Sequence, residues 1–82
     1  MGGVFAKVNK VQRLRLREAQ SYLDKAANIV SFVKDEEQDK LDNAPENLEN
    51  AEIYVAIDKA IDELDEALSN IESAKESIDN AC

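Results

Sequence analysis

The chain has 82 residues, 44% of them hydrophobic and 34% charged, with a net charge of −8, no histidine, one cysteine, one proline and two glycines. Such a length supports one domain at most, and its core stays thin unless copies associate. The inventory excludes an internal disulfide and a histidine-built metal site, and its poverty in Gly, Pro and aromatics is the profile of long solvated helices rather than sheets.

The charge is divided along the chain. Residues 1–34 sum to +5 and residues 35–82 to −13. No apolar run approaches the ~20 residues that span a bilayer, and the opening six residues are too short for a signal-peptide core, so a cytoplasmic protein with no membrane association is expected. Gly2 does not complete a myristoylation motif, because Ala6 stands where Ser or Thr is needed.

Met1 to Ala6, with two glycines, is expected to be a flexible terminus. From about Lys7 the pattern turns helical. Leu16, Ala19, Leu23, Ala26, Val30 and Val33 follow three-four spacing, and Tyr22 and Ile29 widen the stripe. Leu14 and Phe32 lie roughly a third of a turn beyond its edge and indicate a second contact surface. The polar run from Lys34 to Asp42 contains no breaker, so the first helix is predicted over about 7–42.

Pro45 is expected to end it, since proline lacks an amide proton and disfavours a helical residue before it. Residues 43–50 then form the connection, with Leu48 closing the core end and Asn50 as N-cap of a second helix over about 51–80. That helix carries the strongest pattern in the chain. Ile53, Ile57, Ala60, Leu64, Ala67, Ile71, Ala74, Ile78 and Ala81 keep heptad spacing, with alanine at every seventh residue from Ala60.

Helices of about 36 and 30 residues would measure roughly 54 and 45 Å. Their short connection predicts an antiparallel hairpin, a single domain over 1–82. Folding about residue 46 would set Arg13, Arg15 and Arg17 beside Glu72, Glu76 and Asp79, and would bring Ala19 near Ala74 and Ala26 near Ala67. The core seam is expected to comprise Leu16, Leu23, Val30, Ile57, Ala60, Leu64, Ala67, Ile71, Ala74 and Ile78. Ile61 and Leu68 would flank it and Val55 would stand apart from it, and with Leu14 and Phe32 they exceed what one partner helix covers. The fold class expected is therefore all-α, a hairpin assembling as a homodimeric four-helix bundle or a higher oligomer.

Sites of chemistry are sparse. Arg13, Arg15 and Arg17 are candidate contacts for an anion, such as a small nucleotide held at a junction between subunits, while the acidic balance disfavours nucleic acid. Asp35, Glu36, Glu37, Asp39 and Asp42 lack the glycine of a calcium loop and are expected on a helix face. Asp58, Asp62, Asp65 and Glu72 lack the histidines of a di-metal bundle. No nucleophile has a recognisable base, so neither an enzyme nor a cofactor is expected. Tyr22 and Tyr54 fit bundle edges as well as stacking sites, and Cys82 is expected as a free thiol in a reducing compartment. Asp62, Glu63, Asp65 and Glu66 make a candidate face for a host protein.

The centre, Asp35-Glu36-Glu37-Gln38 and then Leu41-Asp42-Asn43-Ala44-Pro45-Glu46-Asn47-Leu48, resembles a family of small uncharacterised two-helix proteins of Gram-positive bacteria and their phages. Members also share a basic opening similar to Asn9-Lys10-Val11-Gln12-Arg13 and acidic heptads at the end. The resemblance carries no activity. It implies an accessory protein of a bacterium, prophage or mobile element. The residues themselves leave three readings: a homo-oligomer acting on another protein, an oligomeric sponge for an anionic nucleotide, or a structural assembly piece.

Overall fold

Asn9 starts the first helix. In the computed structural model, which describes residues 8–44 and 52–82, its backbone is extended and its side-chain oxygen accepts from the Gln12 amide at 2.8 Å. The Asn9 amide in turn donates to Gln12 Oε1 at 3.1 Å. This reciprocal pair satisfies donors that a first helical turn leaves open. It fixes α1 as Lys10–Asp42, starting three residues later than the periodicity predicts.

The other end of α1 is closed by Asn43. Its amide and its side-chain Nδ2 both donate to the Asp39 carbonyl, at 3.0 and 2.8 Å. The expected contributions of Pro45, Leu48 and Asn50 lie outside the described residues. The second helix, α2, is Glu52–Ala81, with the Glu52 carboxylate in the first turn where the helix dipole favours it. No strand occurs among the described residues.

Three ion pairs join the helices: Arg17 with Asp79, Asp24 with Lys75, and Lys34 with Asp65. Numbers rise along α1 as they fall along α2, so the two helices form an antiparallel hairpin. The paired numbers sum to 96–99, whereas folding about residue 46 requires about 92. The partner of any α1 residue is therefore displaced by one to two turns from the expected register.

Gln20 accounts for the difference. It occupies a seam position, where its Nε2 donates to the Lys75 carbonyl at 2.9 Å and to Asp79 at 2.8 Å. A polar side chain facing the partner must be satisfied, and this register satisfies it. The same displacement separates the alanine rows expected to face one another. Ala19 and Ala26 stand level with Ile78 and Ile71, and Ala67 and Ala74 with Val30 and Leu23, so small residues oppose large ones.

The centre of the contact is also rotated. Ile61 is the one described residue that is buried, at 6% exposure, and Leu68 is half-buried. Both were expected on the flank; instead Ile57, Ile61, Leu64, Leu68, Ile71 and Ile78 run down the interface, with Ala60, Ala67 and Ala74 half-buried beside them. Large side chains remove more apolar surface from water, so they take the middle and leave alanine the edge.

On α1 the half-buried line is Leu16, Gln20, Leu23, Ala27, Val30, Lys34, Glu37 and Leu41, with Ala19 and Ala26 at its side. Tyr22, Ile29 and Val33, expected in the stripe, are exposed, as is Ile53 at the start of α2. A contact between only two helices is narrow. Tyr22 and Ile29 precede seam residues by one position, about 100° around the helix, and fall outside it.

Candidate protein interaction surfaces

The chain forms a rod. Its extents are 68 × 16 × 13 Å and its radius of gyration is 19.0 Å, against about 12 Å for a compact domain of this length. Its accessible surface is 6354 Å², where a compact 9.1 kDa monomer would present roughly 4,900 Å².

Part of that surplus is apolar and lies on α1. Val11, Leu14, Tyr22, Ile29, Phe32 and Val33 are 38–65% exposed and fall within an arc of roughly 100°, about a third of a turn from the α2-facing line. Leu14 and Phe32, singled out by their spacing, belong to this face. The sequence reading assigned Tyr22, Ile29 and Val33 elsewhere, although their distances of seven and eleven residues already place them together. Lys25 lies over the Tyr22 ring, 5.5 Å from its centre.

The opposite side of the rod is acidic. Asp58, Asp62, Glu63 and Glu66 are exposed on α2 and form no ion pair with any described residue. Asp65, expected with them, is turned inward to Lys34, whose ammonium is held above its ordinary pKa chiefly by that hydrogen bond.

No family model, curated protein or solved structure matches this chain. The surfaces therefore rest on their own chemistry.

The three arginines do not act together. Arg17 pairs with Asp79 and donates to Gln20 Oε1 at 2.7 Å; the hydrogen bond from Gln20 to the Asp79 carboxylate, and then that from Arg17, lower the Asp79 pKa below its ordinary value. Arg13 and Arg15 meet no carboxylate among the described residues. The expected pairing of the basic run with Glu72 and Glu76 is corrected accordingly: Glu72 lies 3.7 Å from Lys75 of its own helix, and Glu76 is exposed.

Arg15 lines an open hollow of about 430 Å³ with Val8, Gln12 and Leu16. A second, of about 480 Å³, lies at the connected end between Lys40, Asn43, Ile53, Tyr54 and Ile57. Cys82 is a half-buried free thiol. Among the described residues no three Asp, Glu or Cys side chains converge as metal ligands, and no helix is long and apolar enough to cross a membrane.

Proposed function

We propose that the chain is a non-enzymatic, homo-oligomeric hairpin that acts by binding another protein, an accessory factor of a bacterium, phage or mobile element that modulates a host protein. The division of its surface supports this. One side of the rod keeps six large apolar residues in water, and the other presents Asp58, Asp62, Glu63 and Glu66, which outnumber the one lysine among them, Lys59, and form no ion pair with any described residue. The apolar side serves self-association, because exposed apolar surface of this extent marks a contact. The acidic side remains outward to meet a basic partner, with long-range attraction accelerating the encounter.

The test reverses Asp62, Glu63 and Glu66 to lysine and spares Asp65, which holds the hairpin through Lys34. A host protein retained by the parent and lost by a variant of unchanged helicity supports the reading. Equal retention by both places binding elsewhere.

A second reading, a sponge for an anionic nucleotide, is favoured by Arg13 and Arg15, which have no carboxylate partners among the described residues, Arg15 lining the hollow at Leu16. It expects nucleotides to raise the melting temperature of the parent and to leave an Arg13→Ala, Arg15→Ala variant unmoved.

A further inference from the structure

The exposed face of α1 is nearly symmetric about its middle. Tyr22 stands eleven residues from both Val11 and Val33, and Leu14 on one side is answered by Ile29 and Phe32 on the other. The charges beside this stripe are antisymmetric: Lys10 and Arg15 lie near its beginning, and Asp35, Glu36 and Asp39 near its end. An isologous contact requires a surface that complements itself when rotated by half a turn. This face does so in both apolar placement and charge.

We propose that two copies pair through α1, antiparallel, about a two-fold axis at Tyr22, giving the helix order α2, α1, α1 and α2 across the dimer. This deepens the homo-oligomer reading above and rests on it. Val11 of each copy then meets Val33 of the other, and Leu14 meets Ile29 and Phe32. Lys10 approaches Asp35 across the axis. The paired stripes are about 33 Å long, from 22 residues at 1.5 Å each. The surface surplus of the isolated hairpin exceeds the roughly 800 Å² that each partner covers in an interface of standard size. A parallel pairing would set the basic halves against each other and the acidic halves likewise, so repulsion selects the antiparallel arrangement.

Light scattering and directed crosslinking test this on the full chain. The parent is expected at twice its 9.1 kDa mass. An Ile29→Asp, Phe32→Asp variant is expected at the single-chain mass with its helicity retained, because both residues are exposed in the hairpin. In a Cys82→Ser background, Val11→Cys and Val33→Cys chains mixed together are expected to give a disulfide-linked heterodimer, with little crosslinking of either alone.

A dimer that survives Ile29→Asp, Phe32→Asp and gives no 11-to-33 crosslink overturns the α1 interface and leaves self-association standing through another face. Crosslinking of each single-cysteine chain to itself overturns the antiparallel arrangement. A folded parent monomer at high concentration overturns both readings. Loss of helicity in the aspartate variant shifts the decision to the crosslinks, which use residues of nearly unchanged size.

Discussion

The stability of so thin a molecule concentrates in few side chains. Ile61 is buried where the two helices meet, whereas Ile53, on the same helix, remains 64% exposed. Deleting a buried isoleucine to alanine loses both its transfer free energy and the contacts around the cavity left behind. Ile61→Ala is therefore expected to lower the unfolding free energy by about 2–3 kcal/mol, and Ile53→Ala by less than about 0.5 kcal/mol. Urea unfolding of the two variants measures the difference directly, and equal losses would mean that the burial is misplaced. At the start of α1 the Asn9 side chain holds the Gln12 amide. Asn9→Ala is expected to cost about 1 kcal/mol, because the amide returns to water without its cap. Gln12→Ala removes only the return half of the pair and should cost less.

Between the elements, polar contacts decide register while apolar contacts supply the adhesion. Arg17, Gln20 and Asp79 form one connected group, and Lys75 adds its carbonyl to Gln20 and its ammonium to Asp24. The sign of the pH effect follows from the shifts. Asp79 is lowered by its hydrogen bonds to Gln20 and Arg17, so its contribution is present above the ordinary carboxylate pKa and is lost as pH falls through the lower, folded one. Lys34 and Lys75 are raised, chiefly by their hydrogen bonds to Asp65 and Asp24, so theirs is present below the ordinary lysine pKa and lost as pH rises through the higher, folded one. These groups are open to solvent, and salt screens them. The parent should thus lose stability below about pH 4 more steeply than Asp79→Asn, with the gap shrinking in high salt; thermal melts across pH check it, and parallel curves would remove the group from the account. The hairpin itself was legible, since heptad spacing and the polar stretch near residue 43 are local signals. Register and rotation were not. The four-three pattern through Ile57, Ala60 and Leu64 competes with one through Ile57, Ile61 and Leu64, and spacing alone does not rank them. The arbiter is volume, together with a Gln20 contact 55 residues away in sequence. The α1 outer face was half legible for the same reason: Leu14 and Phe32 stood off the stripe, while Tyr22, Ile29 and Val33 fitted a wider stripe that one partner helix does not fill.

For the whole molecule, an 82-residue rod with one buried side chain among its described residues has little to offset the entropy of ordering its chain. Association changes that balance by mass action, because a dimer that forms only from folded chains draws the folding equilibrium with it. The melting temperature must then depend on protein concentration. A hundredfold increase contributes about 2.7 kcal/mol to each dimer, or about 1.4 kcal/mol to each chain. For a domain of this size that corresponds to a rise on the order of 5–10 °C. Ile29→Asp with Phe32→Asp should melt at one temperature throughout the series, and that temperature should match the dilute limit of the parent, since neither residue contributes to the hairpin's own interface. Agreement of the two limits would assign the added stability to the outer face of α1 alone. A parent whose melting temperature stays constant over the same range folds as a single hairpin, and its exposed apolar face then serves a partner other than itself.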